Sequence, residues 1–144
     1  MMIDTPENHP LPAACIAVCI AVWRDGMVLL VRRGREPNKN LWALPGGKVD
    51  LGETIAEAAK RELHEETSLR AEPHTLFHVK KIIDAGFQYV LHCVSAANPA
   101  GALRAGDDVA EARWISPGEL ATLNTVPGLA DIIQRSQTGS APVL

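Results

Sequence analysis

Three glutamates, Glu62, Glu65 and Glu66, stand at i, i+3 and i+4 in a stretch whose pattern is helical over residues 54–67. Thr54 and Glu57 open it as a capping box, each side chain answering an amide that the first turn leaves unbonded. Laid out at about 100° per residue from Ile55, Ala59, Leu63 and Ala56 fall between about 40° and 100°, the side expected to face a core. Lys60, His64 and Glu57 fall between about 140° and 200°, the wet side. Glu62 comes near 340°, Glu65 near 280° and Glu66 near 20°, which puts Glu66 between Ile55 and Ala59 at the edge of the buried stripe. Like charges at this spacing repel by a few tenths of a kcal/mol per pair. Beside a core they also lose solvation, which raises their pKa values or calls for a cation. Lys60 points away, and Arg61 is expected to reach at best Glu65 or a preceding carboxylate. A divalent metal meets the need, since Mg²⁺ takes oxygen ligands, keeps waters and is commonly held by carboxylates together with substrate phosphates. The plainer alternative is a solvated charged face that abuts the core.

Just upstream, Pro45-Gly46-Gly47-Lys48 follows a short apolar run and reads as a loop where backbone can come close to a ligand. It is not a P-loop, which needs Gly where Trp42 stands and Ser or Thr where Val49 stands. A Gly-Gly turn alone is commonly a plain turn; its fixed spacing to the glutamates gives it weight. Gly47, Glu53, Arg61, Glu62, Leu63, Glu65, Glu66 and Leu69 resemble the Nudix box, G-x5-E-x7-R-E-U-x-E-E-x-G-U with U apolar, at eight of its nine specified positions. Chance agreement of that quality is on the order of one in 10⁸ per start point. The exception is Ser68, where the family has a glycine after the helix; a serine held left-handed there costs about 1 kcal/mol.

The resemblance implies an α/β fold, the Nudix α/β/α sandwich with a mixed sheet. It also implies hydrolysis of a nucleoside diphosphate linked to another moiety, with Mg²⁺ or Mn²⁺ as cofactor. Carried over by position, Glu62, Glu65 and Glu66 are the implied metal ligands, with the Gly46 carbonyl as an added one. Glu62 and Glu65 also join Arg61 and Glu53 in the implied catalytic set, Glu53 holding Arg61 in a salt bridge that orients the helix. Gly47 and Lys48 are implied to meet substrate. Residues 29–33, residues 41–45, and Ala105-Gly-Asp-Asp108 ahead of Ala112-Arg-Trp-Ile115 look most like ADP-ribose pyrophosphatase-type members. Metals across a pyrophosphate would neutralise developing charge while an activated water attacks phosphorus in line. The general base stays open among a box glutamate, Asp107, Asp108 and Glu111, with Asp108 taken into the candidate set. Arg33 is either a charge-assisted phosphate donor or a solvated rim arginine.

The elements that must position these groups are legible around them. Residues 14–23 form an Ile- and Val-rich run expected of a strand buried on both faces, Asp25-Gly26 signals a hairpin, and residues 27–31 read as the returning strand. Further strand-like runs cover residues 41–44, 75–83, 87–95 and 112–115. Short helices are expected after Ser116-Pro117 and over residues 127–135. Residues 13–136 then make a single domain, with residues 1–12, Pro-rich, and 137–144 as flexible termini. Phe87 and Tyr89 share a strand face where core packing competes with base stacking, Trp23 and Trp42 read as core or rim, His78 and His92 as ordinary strand residues, and His64 as part of the wet helix face.

At 144 residues with 47% hydrophobic and 22% charged side chains, the chain suits one globular domain rather than a disordered or fibrous protein. A net charge of −3 gives no electrostatic footprint for nucleic acid or a membrane surface. Cys15, Cys19 and Cys93 have neither zinc-site nor disulfide-framework spacing, and the apolar run at residues 13–23 lacks a basic leader and the length of a span; a cytoplasmic setting is expected. The implied partner is a nucleotide-derived small molecule, with no nucleic acid and no membrane; a homodimer stays open. Three functions compete: cleavage of ADP-ribose or a similar sugar nucleotide, cleavage of free or damaged nucleoside triphosphates, and non-catalytic nucleotide sensing. Sensors of this fold tend to lose box carboxylates and to add a DNA-binding module, whereas all the box glutamates are present here.

Overall fold

A long apolar run with no polar alternation has to be covered on both sides, and residues 18–22 are all buried. They belong to β1 (Cys15–Arg24) in a computed structural model that describes residues 15–84, 87–106 and 108–138. The chain turns at Asp25 and Gly26, whose φ values of 53° and 75° match the twist of a hairpin, into β2 (Met27–Arg33). This strand outlasts the apolar run because Arg32 pairs with Trp42 and Arg33 with Val109. β3 (Trp42–Ala43) and β4 (Gly46–Lys48) follow.

β4 corrects the sequence reading, which took Pro45 to Lys48 for a loop. Gly46 and Gly47 pair with Cys19 and Val18 of β1, and a Cβ on Gly46 would lie 2.2 Å from the Val18 carbonyl oxygen. Glycine is needed here for close approach of two strands rather than for a turn.

The helix α1 (Ile55–Thr67) comes next, then β5 (Pro73–Asp84), β6 (Phe87–Ala97), β7 (Val109–Ile115), the one-turn α2 (Pro117–Leu120) and α3 (Leu129–Thr138). Ser116 caps α2 with Pro117 at its first position, as expected. α3 begins two residues later than the pattern suggested because Gly128, at φ 82°, first turns the chain. It also runs further, so Gln137 and Thr138 are helical rather than tail. Residues 1–14 and 139–144, which include the expected flexible ends, lie outside the described residues.

The sheet has the order β3-β2-β1-β6-β5, with β4 added to β1 and β7 to β2. β1 and β6 run parallel and the other pairs antiparallel, so the sheet is mixed. On one face Val18, Ile20, Val22, Leu29 and Val94 pack against Ala58, Ala59 and Leu63 of α1. On the other, Ala21, Val28, Leu30, Trp42, Phe77 and Ile115 pack against Leu129, Ile132 and Ile133 of α3. The architecture is therefore an α/β/α sandwich. Among the described residues no helix is long and apolar enough to cross a membrane.

Candidate active site

β4 and α1 meet along one line, and backbone rather than side chains sets their spacing. The Gly47 backbone lies so close to Glu62 that a Cβ there would sit 2.6 Å from its carboxylate. At the start of α1 the Thr54 hydroxyl accepts from the Glu57 amide at 3.1 Å while the Glu57 carboxylate accepts from the Thr54 amide at 2.9 Å, completing the expected capping box. At its end Ser68 holds φ 66° and donates its amide to the His64 carbonyl, so the left-handed turn survives without glycine. Ala56 is only partly buried, contrary to the wheel. Thr67 takes that side of the core instead, its hydroxyl donating to the Leu63 carbonyl.

A segment that sequence reasoning undervalued clamps the same helix end. Arg104 donates its amide to Thr67 and Gly106 donates its own to Glu66, answering carbonyls that a helix C-terminus leaves free. A Cβ on Gly106 would fall 1.9 Å from the Glu65 carbonyl, so only glycine fits. The clamp brings the chain past two of the three glutamates and delivers Asp108 beside them. The sequence marked this segment by its family likeness and its acids, but carried no signal for the backbone bonds to α1.

The carboxylates divide into two electrostatic settings. Arg61 grips Glu53 with two bonds of 2.7 and 2.8 Å and donates to the Lys48 carbonyl at 3.0 Å. This holds the Glu53 carboxyl down to about 2, chiefly through the Arg61 hydrogen bonds. Arg61 also reaches further than the wheel allowed: its Nη1 is 2.8 Å from Glu62, while Glu65 is at 3.4 Å. Glu66 has no such cation in contact. Burial, and then a hydrogen bond and repulsion from Glu62, push it up to about 9, against smaller pulls from the Gly46 amide at 3.3 Å and the Arg33 charge. A cation held there would relieve the burial and repulsion that raise Glu66.

These groups line two adjoining cavities. One, of about 360 Å³, has Val31, Ala43, Leu44 and Val109 as an apolar floor, with Arg33, Arg35, Lys48, Glu62, Glu66, Asp108 and both Gly46 and Gly47 around it. The other, of about 250 Å³, is lined by Glu62, Glu65, Glu66 and Asp108. Arg33 spends its Nε on the Pro37 carbonyl at 2.7 Å, and Arg35 pairs with Asp108 at 2.9 Å. Of the two loop acids offered as a base that the structure describes, Asp108 lines these cavities and Glu111 does not. Glu111 faces Arg32 and Arg113, each at 3.5 Å, and Asp107 lies outside the described residues, as does the side chain of Phe87. Trp23 donates to Ser136, and Trp42 is core. A larger cavity of about 590 Å³ lies on the wet side of α1 and is lined by Lys60, Arg61, His64, Arg70 and Glu72, without Glu62, Glu65 or Glu66.

The donor set suits a hard divalent cation, being all oxygen with one carboxyl left unneutralised. It is not a closed cage: among the described residues no three acidic, His or Cys side chains already converge, and Glu65 is more than half exposed and leans toward Arg61. A site that shares its cation with substrate phosphates has this open form. The missed residues, Arg35 and the four floor residues, carry no special spacing; Arg35 was one cation in a polar run.

The chain is similar to several known proteins. The NUDIX domain matches residues 14–136. Over 124 residues the chain is 38% identical to the ADP-ribose pyrophosphatase of Methanocaldococcus jannaschii, covering 85% of this chain and 68% of that protein. Over 105 residues it is 37% identical to a Bacillus subtilis protein named for an 8-oxo-dGTP diphosphatase, covering 72% and 67%. The crystal structure of a MutT Nudix hydrolase from Burkholderia pseudomallei superposes with a TM-score of 0.78 at 30% identity, over 84% of this chain and 96% of that one. With five box residues on α1 and Gly47 on β4, and nearly the whole described chain inside the match, the protein belongs to the Nudix hydrolase family.

Proposed function

We propose that the protein hydrolyses the pyrophosphate linkage of a nucleoside diphosphate derivative, ADP-ribose or a similar sugar nucleotide, as a single domain over residues 13–136 in a reducing, cytoplasmic setting. The observation that supports hydrolysis is the half-buried Glu66–Glu62 pair, which lines both a cation-lined cavity and an acidic one, and the 38% identity to the Methanocaldococcus jannaschii protein favours ADP-ribose. Glu62, Glu65 and Glu66, with the Gly46 carbonyl, would hold Mg²⁺ or Mn²⁺. Such an ion supplies charge neutralisation on the pyrophosphate oxygens and lowers the pKa of water.

The chain's own residues do the rest. Glu53 fixes Arg61, and Arg61 fixes the Glu62 carboxylate and the Lys48 carbonyl, so the acidic edge of α1 and strand β4 keep one separation. Arg33 and Lys48 meet phosphate oxygens from the cavity rim, and the Gly47 backbone lets the substrate come close. Asp108, which lines the acidic cavity from the loop that clamps α1, is our candidate for the base. The apolar floor excludes water from one side of the diphosphate.

Turnover of ADP-ribose, NADH, other sugar nucleotides and nucleoside triphosphates with Mg²⁺, with products identified, tests the reading. AMP and ribose phosphate from ADP-ribose are expected. Pyrophosphate released from triphosphates would select the second reading, a house-cleaning triphosphate hydrolase, which the 37% identity to the Bacillus subtilis protein favours. Binding without turnover across the panel would overturn both in favour of a nucleotide sensor.

A further inference from the structure

Among the described residues, Asp108 is the one that lines both the acidic cavity and the cation-lined one without belonging to α1, and its carboxylate is already taken by Arg35 at 2.9 Å. The backbones beneath the pair are fastened separately. Gly34 donates its amide to the Asp108 carbonyl at 3.0 Å, Arg33 pairs with Val109 in the sheet, and a Cβ on Gly34 would press on the Asp108 carbonyl at 3.0 Å. The side-chain pair can therefore open without parting the two loops. It is also weak, since Arg35 is 73% and Asp108 59% exposed, and ion pairs in that setting contribute little. A diphosphate is a stronger partner for a guanidinium, offering two oxygens to its fork and more charge than one carboxylate.

We infer that Arg35 and Asp108 form an exchange latch: Arg35 binds a phosphoryl group of the incoming diphosphate, and the exchange frees the Asp108 carboxylate to turn to the acidic cavity beside Glu62, Glu65 and Glu66. Arg35 is thus a further substrate-binding residue, and by giving up Asp108 it becomes a positioning residue for the acidic side. The latch rests on the pyrophosphatase reading only in that its ligand is a diphosphate. In the free protein Asp108 masks Arg35, so removing the Asp108 charge should improve diphosphate binding, and should do so through Arg35.

Inorganic pyrophosphate is the probe, titrated calorimetrically into the metal-free protein at about 0.15 M salt, where charges beyond about 8 Å are screened. Arg35→Gln should weaken binding about tenfold and Asp108→Asn should tighten it about threefold. Both side chains are exposed, and circular dichroism on each variant checks that it folds. In the Arg35→Gln background the Asp108→Asn gain should shrink toward unity, because the masked partner is gone. An equal gain in both backgrounds would overturn the latch, showing only through-space repulsion; so would an unchanged affinity in Asp108→Asn, or pyrophosphate that does not bind. If the coupling holds while the substrate panel shows no turnover, the catalytic reading fails and the latch stands.

Discussion

Glu53 and Glu66 flank the same helix, and the fold treats them oppositely. Glu53 faces Arg61 and is held down to about 2, while Glu66 faces another carboxyl and is pushed up to about 9. Both begin as ordinary glutamates, so the difference comes from the neighbour each is given. One end of the cluster is neutralised by the chain itself. The other is left dependent on something the chain does not supply, and a binding site needs that dependence. Selective neutralisation of this kind separates a functional acidic cluster from a salt-bridge network better than the number of acids does.

The sharpest way to break this contrast is Glu66→Gln. The amide keeps the size and still accepts from the Gly46 amide but loses the charge. Mg²⁺-dependent kcat should fall roughly 10³-fold with the circular dichroism spectrum unchanged. The metal-free protein should become more stable, by a few kcal/mol near pH 8, read by urea unfolding. The pH dependence of the parent protein gives the sign. The folded-state pKa of Glu66 is raised from 4.5 to about 9, so the folded chain holds this proton more tightly than the unfolded one. Its contribution to stability is full below about 4.5, declines by about 1.4 kcal/mol per pH unit above that, and is lost past 9. Glu53 runs the other way, its contribution present above 4.5 and lost as the pH falls toward 2. Added Mg²⁺ should flatten the alkaline decline, and Glu66→Gln should remove it. A decline that persists in the variant would assign the burden to another group.

Arg61→Lys tests the neutralised end. Lysine keeps the charge but cannot span Glu53, Glu62 and the Lys48 carbonyl at once. We expect kcat to fall about 10- to 100-fold with KM nearly constant, since the substrate cavity itself is not lined by Arg61. A change confined to KM would move Arg61 from positioning into substrate contact.

The sequence exposed the α1 half of this site well and the opposite half poorly, for physical reasons. Helical spacing is local, so the edge position of Glu66 could be worked out from Ile55 and Ala59, and its burial in the structure agrees. The capping box and the Asp25-Gly26 hairpin are local too. The wheel misplaced Ala56, whose side of the core Thr67 takes, and it could not show the path of a long side chain: Arg61 bends back to Glu62. β4 was hidden because glycine marks a turn and a close strand approach with the same letter, and only the position of Val18 distinguishes them. Arg35 and Asp108 lie 73 residues apart in the chain. Neither has a spacing signal, and the β2–β7 pairing that joins them is a long-range fact.

Ser68 gives the smallest and cleanest contrast, because it departs from the box without touching the acids. Its φ of 66° and its amide bond to the His64 carbonyl show that the chain keeps the backbone a glycine would adopt freely. The hydroxyl recovers only a long bond of 3.4 Å to the Arg104 carbonyl. Ser68→Gly should therefore relieve the left-handed cost of about 1 kcal/mol, reduced by the greater freedom of glycine in the unfolded chain. Urea unfolding should show a gain of a few tenths to about 1 kcal/mol, with kcat and metal dependence unchanged. A loss of stability would mean that the Ser68–Arg104 contact helps to seat the clamp, and that the serine is a working substitute for the family glycine.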